Sequence, residues 1–202
     1  CLWNLLRLFF WIPYWVVRRP RAMLRMATAI NWYEPANFLN LWENGLGRGY
    51  AILSARHWRG SDVRTVHGVW ATAPATAAWG LHLLADLPFS FSGHAYDLFE
   101  HGGDWLLKEK MRDAQFLRSS SEVGVRRFVK LGAEPSQVYC IRRGLNSYPG
   151  LLERREIKTP WRILAVGRLV EKMGYFEQLA VYRELRDRGI RFAVNIYGGG
   201  PL

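Results

Sequence analysis

Cysteine is scarce in this chain of 202 residues, which contains only Cys1 and Cys140. Two cysteines provide neither a disulfide framework nor a set of zinc ligands. Cys140 lies in the apolar run Val138 to Ile141, so we expect a buried, unreactive thiol at this position. So small a number is compatible with a reducing compartment but decides little about it.

Long hydrophobic runs are also missing. The run from Leu8 to Val17 is interrupted by Pro13, and a membrane-spanning helix needs about 20 apolar residues. A secretory signal is disfavoured because the charges follow the apolar run and no small-residue cleavage site is evident. Residues 1–26 nevertheless combine aromatic side chains with arginines. That pattern is typical of a segment in the membrane interface, and equally of a core helix with solvated arginines.

Acidic residues are few: 17 acids stand against 28 lysines and arginines, which gives a net charge of +11. The first acid in the chain is Glu34, and five arginines precede it. The excess of positive charge suits nucleic acid, an anionic membrane surface or a phosphorylated substrate. Nucleic acid ranks last, because the basic residues are scattered and no base-stacking motif is evident.

Several common catalytic patterns are absent from the sequence. There is no Asp-x-Asp pair, so a metal site built from paired aspartates is not indicated. No G-x-S-x-G elbow occurs, and no Gly-Lys-Ser/Thr follows the glycine run at 198–200, so a P-loop is excluded.

What the sequence does contain is an alternation of short strands and helices. Residues 31–62 read as mixed helix and loop, with a turn at "NGLGRG". From there on, predicted strands alternate with helices, which indicates βαβ units, a parallel sheet and an α/β fold. The predicted strands are "VRTVHGVW", "LPFSFS", "AQFLRS", "SQVYCIRRG", "WRILAVG" and "RFAVNIYG".

A segment rich in proline, glycine and charge, "NSYPGLLERREIKTP", interrupts this alternation and predicts a linker between two domains. We place a first Rossmann-like domain at 1–146 (lacking its first strand), the linker at 147–160 and the start of a second domain at 161–202. The single βαβ unit of the second domain is too small to bury a core. We therefore expect the chain to be an internal piece of a longer protein.

Four loops leave the carboxyl ends of predicted strands, where open α/β sheets bind their ligands. The first carries His67, which is equally explained as a hydrogen-bonded histidine at a strand end. The second carries His94 and Asp97, which are able to orient a substrate or share a proton. The third and fourth are basic and glycine-rich; they contain Gly167, Arg168 and Lys172, and Gly198, Gly199 and Gly200.

The basic loop leads into a helix predicted to start near Tyr175. Two cations beside the positive end of a helix suit a diphosphate, and glycines permit a nucleotide to approach the backbone. A turn with solvated charges and a flexible glycine loop are the alternatives.

Taken in order, "VHGVWATAPA", "FSGHAYDLF", "FLRSSS", "VYCIRRGLN", "ILAVGRLVEKMG" and "YGGGPL" resemble the motifs of the GT4-type glycosyltransferases of the GT-B fold. The resemblance covers residues 64–202. It implies two Rossmann-like domains and metal-independent, retaining transfer of a sugar from a nucleotide-sugar (a UDP- or GDP-sugar) to a saccharide or lipid-linked acceptor in polysaccharide or glycolipid biosynthesis. No cofactor is implied beyond the donor itself.

The resemblance also assigns roles. Arg168 and Lys172, with Gly167, would hold the donor diphosphate, and Gly198, Gly199 and Gly200 would lie near the nucleotide. His94 would lie near the transferred sugar, so we take His94 and Asp97 as catalytic candidates and His67 as a substrate contact. The implied location is the cytoplasm, either free or peripheral on the inner face of the cytoplasmic membrane through residues 1–26.

The chain departs from the family pattern in three respects. Met173 stands where the family has its lysine, since Lys172 comes one residue early, and methionine does not donate to phosphate. Asn146 replaces an aspartate. The E-x7-E region and the glycine-rich acceptor loop are missing, so we expect this stretch by itself to be inactive. Met173 also supports an alternative, a non-catalytic binding or scaffold protein that keeps the GT-B fold.

Overall fold

The structure is a computed structural model that describes residues 2–29, 38–100, 103–144, 147, 150 and 159–202. The chain divides into two units, Cys1–Leu145 and Asn146–Leu202, and each is described here by itself. Both units are α/β with parallel strands, which confirms the prediction of an α/β fold with parallel sheets. Asn146 and most of the linker predicted at 147–160 lie outside the described residues.

The first unit follows the predicted alternation of helices and strands. Its elements, in chain order, are α1 (Leu2–Arg18), α2 (Pro20–Thr28), α3 (Phe38–Trp58), β1 (Val66–Gly68), α4 (Ala73–Ala85), β2 (Phe89–Ser92), α5 (Tyr96–Phe99), α6 (Leu107–Asp113), β3 (Leu117–Ser119), α7 (Glu122–Lys130), a 3-10 turn (Pro135–Gln137) and β4 (Val138–Cys140).

The four strands form one parallel sheet in the order β1-β2-β3-β4. Val66 pairs with Phe89, Phe91 with Leu117, and Leu117 with Val138, so the carboxyl ends of all four strands meet at one edge. The inner strand β2 is buried along its whole length, as expected for a parallel strand covered on both faces. The sheet therefore presents the loops after β1, β2 and β3 together.

The prediction of a turn at "NGLGRG" was wrong, because these residues lie inside the continuous helix α3. Gly47 faces α4, where an added Cβ would stand 2.6 Å from the carbonyl oxygen of Ala73. Gly80 of α4 is packed just as closely against Ala51 of α3. Close contact of two helices at small residues thus compensates for the low helix propensity of glycine.

Helix α1 packs one side against α3 and leaves the other exposed. Trp15 is buried, and its Nε1 donates to the carbonyl oxygen of Ile52 at 2.8 Å. Phe9, Phe10 and Val17 are 76%, 79% and 80% exposed, so the side of α1 away from α3 carries unburied apolar side chains. Within the described residues, no helix is both long and apolar enough to cross a membrane.

Strand β4 lies at the edge of the sheet and is buried only in part. Val138 is buried, whereas Tyr139 is about half exposed. Cys140 is partly exposed too, so the prediction of a buried thiol was wrong. The apolar run suggested burial of the whole strand. An edge strand has a neighbouring strand on one side only, so some of its side chains stay exposed.

The second unit contains β5 (Trp161–Val166), a 3-10 turn (Glu171–Met173), α8 (Tyr175–Asp187) and β6 (Phe192–Tyr197). The two strands pair in parallel over their full length, and α8 starts at the predicted residue. Tyr175 is the only buried residue among those described in this unit. This confirms that the single βαβ unit does not bury a core by itself.

Candidate functional site

His67 stands on β1 with both ring nitrogens engaged. Nδ1 lies 2.8 Å from Ser90 Oγ, and Nε2 lies 2.8 Å from Ser92 Oγ, both on the neighbouring strand β2. The ring also stacks on Phe116, with the ring centres 6.0 Å apart. Burial, and then the positive charge of Arg118, lower the pKa of His67, so the imidazole is neutral near pH 7. Its position is therefore fixed by the sheet.

Asp97 is buried and fastens two loops together. Its carboxylate accepts the backbone N–H groups of His94 at 3.1 Å and Ala95 at 2.7 Å, in the loop after β2. It also accepts the N–H of Ala71 at 3.1 Å, in the loop after β1. With its oxygens turned to the backbone, Asp97 is a positioning residue that fixes the loop carrying His94.

His94 follows β2 and is only partly buried. Its ring lies edge-on to Trp70, with the ring centres 5.4 Å apart, and its Nδ1 lies 3.4 Å from Ser120 Oγ. Burial lowers the pKa of His94; the nearby carboxylate of Asp97 opposes this shift, and Arg118 adds to it. A neutral imidazole at the sheet edge is able to accept a hydrogen bond from a substrate hydroxyl.

The loop after β3 begins helix α7 against the same edge. The Ser121 side chain caps the helix by accepting the N–H of Gly124 at 3.2 Å. Gly124 also packs directly on Ser119, where an added Cβ would stand 2.8 Å from the serine Cβ. The glycine thus lets the helix start close to the strand, with its positive end toward the loops that carry His94 and Ser120.

A buried ion pair that was missed in the sequence analysis supports these loops. Lys110 of α6 is fully buried and donates to the carboxylate of Asp104 and to the carbonyl oxygen of Ala71. Thr76 Oγ1 lies 3.1 Å from Lys110 Nζ, and Asn44 Nδ2 donates to Asp104 at 3.0 Å. Burial lowers the pKa of Lys110, while the carboxylate of Asp104 opposes that shift. Through the bond to Ala71, the network fixes the loop after β1.

In the second unit, the loops after β5 and β6 pack backbone against backbone. Gly167 N–H donates to the carbonyl oxygen of Tyr197 at 3.0 Å, and Leu169 N–H donates to that of Gly199 at 2.9 Å. A Cβ at Gly198 would stand 3.0 Å from the carbonyl carbon of Gly167 and closer still to its oxygen; at Gly200 it would stand 2.6 Å from the carbonyl carbon of Leu169. Gly198 and Gly200 therefore have no room for a side chain, whereas Gly199 does.

Arg168 and Lys172 are exposed on the loop between β5 and α8. Within the described part of the chain, neither forms an ion pair or a side-chain hydrogen bond. The helix begins after Gly174, whose φ of 69° is left-handed and suits glycine. The side chains of Arg168 and Lys172 and the amino terminus of α8 thus lie at the carboxyl edge of this sheet. This arrangement favours the binding of an anion.

Met173 does not point freely into solvent. Its Cε lies 2.9 Å from the position of an added Cβ at Gly167, and the side chain is 43% exposed. The thioether therefore lies over the start of the basic loop, at the place where the family resemblance expects an ammonium group.

The structure brings the predicted residues into two groups. His67, His94 and Asp97 meet at the carboxyl edge of the first sheet, and the basic loop meets the glycine loop at the carboxyl edge of the second. Among the described residues, no group of three or more His, Cys, Asp or Glu is placed to hold a metal ion. The sequence matches no protein-family model, and no curated protein matches it.

Proposed function

We propose that the protein is a retaining, metal-independent glycosyltransferase of the GT-B fold that uses a nucleotide-sugar donor. The observation that carries the proposal is the second unit's pair of interlocked loops, with Arg168 and Lys172 exposed beside the start of α8. Such an arrangement matches the needs of a nucleoside diphosphate: close backbone approach, fixed cations and the positive end of a helix.

The chemistry follows from the charge that develops in the reaction. As the glycosidic bond to the diphosphate breaks, negative charge accumulates on the leaving group. Arg168, Lys172 and the N–H groups at the start of α8 would stabilise this charge without a metal ion. In the first unit, neutral His94 would hold a hydroxyl of the transferred sugar, and Asp97 would keep the His94 loop in place.

The donor would be a UDP- or GDP-sugar, and the acceptor a saccharide or a lipid-linked saccharide of polysaccharide or glycolipid biosynthesis. His67, held by two serines at the same sheet edge as His94, would contact the substrate. The protein would act in the cytoplasm, with the exposed aromatic and basic side of α1 and α2 available for the membrane surface.

Nucleotide binding tests the proposal directly. Calorimetric titration of the full-length protein with UDP and GDP should show one saturable site, weakened by added salt. Arg168→Ala should lower the affinity by about tenfold or more, because a hydrogen bond to a charged group is lost. Arg162→Ala is the matched control, since this exposed arginine stands near the amino end of β5, the strand that precedes the basic loop, and should have no effect. Equal affinity in all three proteins would refute the proposed site.

A second candidate function, a non-catalytic GT-B binding or scaffold protein, is favoured by Met173. Its side chain covers Gly167, and it offers the diphosphate no donor. The two candidates differ in turnover: nucleotide release from a panel of UDP- and GDP-sugars with acceptor extracts supports the transferase. Nucleotide binding without turnover, even with a competent acceptor, supports the scaffold.

A further inference from the structure

The carboxyl edge of the first sheet carries arginine as well as histidine. Arg118 of β3 pairs in register with Ser92 of β2, whose Oγ contacts the ring of His67 on β1. Residues paired across parallel strands point to the same face, so Arg118 lies on the face of the sheet that carries His67. The Nη2 atom of Arg118 donates to the carbonyl oxygen of Ile141, just after β4, at 2.8 Å. This bond fixes the guanidinium group at the carboxyl edge.

Arg143 adds a second positive charge at the same edge. It lies in the loop after β4 and is exposed, and among the described residues it has no ion pair and no side-chain hydrogen bond. Burial is the main cause that lowers the pKa of His94, and the carboxylate of Asp97 opposes the shift. Arg118 and Arg143 both add to the lowering. Both guanidinium groups are thus close enough to His94 to act on its charge.

Two carboxylates at this edge are already bound. Asp97 accepts backbone N–H groups from the loops after β1 and β2. Glu122, at the start of α7, forms an exposed ion pair with Arg142 at 3.7 Å. Within the described part of the chain, neither carboxylate forms an ion pair with Arg118 or Arg143. The positive charge of these two arginines is therefore left for a further anion, and the fork of a guanidinium group matches the oxygens of a phosphate.

Aromatic rings lie beside His94 at the same edge. The ring of Trp70, in the loop after β1, is edge-on to His94 and stacks on Tyr96, with ring centres 5.8 Å apart. The Tyr96 hydroxyl donates to Glu43 at 2.9 Å, which fixes the stacked pair against α3. Broad aromatic rings with a polar rim suit a sugar, which has apolar faces and a rim of hydroxyl groups.

We propose that this edge binds a phosphorylated saccharide, with the phosphate on Arg118 and Arg143 and the sugar ring beside His94 and Trp70. The assignment of this saccharide as the acceptor rests on the proposed transferase function, whereas the binding site itself does not. A phosphate monoester offers three acceptor oxygens and a charge of about −1.5 to −2. It therefore satisfies two guanidinium groups better than a carboxylate does.

The test titrates the full-length protein calorimetrically with glucose 1-phosphate and glucose 6-phosphate, and with glucose and inorganic phosphate as separate arms. A sugar phosphate should bind at one saturable site that added salt weakens. Glucose should bind about tenfold more weakly or worse, because it forms no charged hydrogen bonds with the arginines. Inorganic phosphate should also bind more weakly, because it makes no contact with the aromatic rings. Absence of saturable binding by both sugar phosphates would overturn the proposal.

Substitutions at the two ends of the sheet separate the site from general attraction to a basic protein. Arg143→Ala should weaken sugar phosphate binding by about fivefold or more. Arg118→Gln should act in the same direction, and thermal unfolding checks that the variant folds without the native bond to Ile141. Arg64→Ala is the matched control, because this exposed arginine precedes β1 at the opposite, amino edge, and binding should stay within about twofold. Equal losses in Arg143→Ala and Arg64→Ala would refute a specific site.

The imidazole of His94 reports where the anion binds. A phosphate on the neighbouring arginines should raise the pKa of His94, because a nearby negative charge favours the imidazolium form. An NMR titration of the imidazole signals, assigned with His94→Gln, measures this change. The ring signals of His57, exposed on α3, should not move on binding. Saturable binding that leaves the pKa of His94 unchanged would place the ligand elsewhere and contradict the proposal.

Nucleotide titrations keep this site apart from the proposed donor site. Arg168→Ala should weaken UDP or GDP binding and leave sugar phosphate binding unchanged, and Arg143→Ala should do the reverse. Loss of nucleotide affinity in Arg143→Ala would show that the edge serves the donor, which overturns the assignment to an acceptor. Sugar phosphate binding without nucleotide binding refutes only the transferase, and nucleotide binding without sugar phosphate binding refutes only this site.

Discussion

The carbonyl group of Gly167 occupies the space that a side chain at Gly198 would need. The loops after β5 and β6 thus touch through their backbones, and the contact continues where Leu169 N–H donates to the carbonyl oxygen of Gly199. Because this contact sets the shape of the proposed diphosphate site, it gives the most direct test of that site's geometry.

Gly198→Ala should separate the two loops. The added methyl group overlaps the backbone of Gly167, which costs about 1–3 kcal/mol of stability by overpacking, and UDP or GDP affinity should fall accordingly. Gly199→Ala is the matched control, because an added Cβ there meets no atom within 4 Å. Thermal unfolding and nucleotide titration measure both effects; equal behaviour of the two variants would contradict the interlocked geometry.

Met173→Lys should strengthen nucleotide binding. The lysine replaces a thioether that lies over Gly167 with a group that donates to phosphate, so affinity for UDP or GDP should rise by about five- to tenfold at low salt. Lys172→Ala in the otherwise native protein shows whether Lys172 already binds the phosphates of the nucleotide. If Met173→Lys has no effect and Lys172→Ala abolishes binding, Lys172 is the working cation.

Gly47→Ala should destabilise the first unit although alanine is the better helix former. The new Cβ would stand 2.6 Å from the carbonyl oxygen of Ala73, and the overpacking should cost about 1–3 kcal/mol. Gly45→Ala, two residues earlier in the same helix, meets no neighbouring atom and should stabilise it by about 0.5–1 kcal/mol. Urea unfolding of both variants gives the comparison, and equal shifts would contradict close packing of α3 on α4.

Acid should destabilise the first unit through its two partly buried histidines. The pKa values of His67 and His94 are lowered in the folded state, mainly by burial, so below their ordinary pKa of about 6.5 the unfolded chain binds more protons. The stabilisation is complete above that value and is lost as pH falls through the folded-state pKa values. The difference between the urea midpoints at about pH 7.5 and pH 5.5 measures the loss of stability. His67→Gln should make this difference smaller. The same difference in the variant as in the native protein would contradict the assignment.

Much of the secondary structure was predictable because short-range patterns set it. The six strands fall within the predicted segments, Ser121 caps α7 as its position before "EVGVRR" suggests, and α8 begins at Tyr175. The error at "NGLGRG" has a clear reason: glycine opposes a helix locally, and only the facing surface of α4 makes small residues favourable there.

The candidate site was predictable in part. Strand-end positions pointed to His67, His94 and Arg168, because the carboxyl ends of parallel strands share one edge. Lys110 was missed, although its neighbours Leu107 and Met111 place it on the apolar side of α6. That signal was available, but the partner Asp104 is brought to it only by the fold.

The sequence by itself determined the alternating α/β pattern, the excess of positive charge and the order of the strand-end loops, since these depend on composition and on neighbours along the chain. The tertiary structure decided which glycines are indispensable, that Asp97 accepts backbone N–H groups from two loops, and that Ser90 and Ser92 hold the ring of His67. Each of these depends on atoms distant in the chain, whose distances are set by packing.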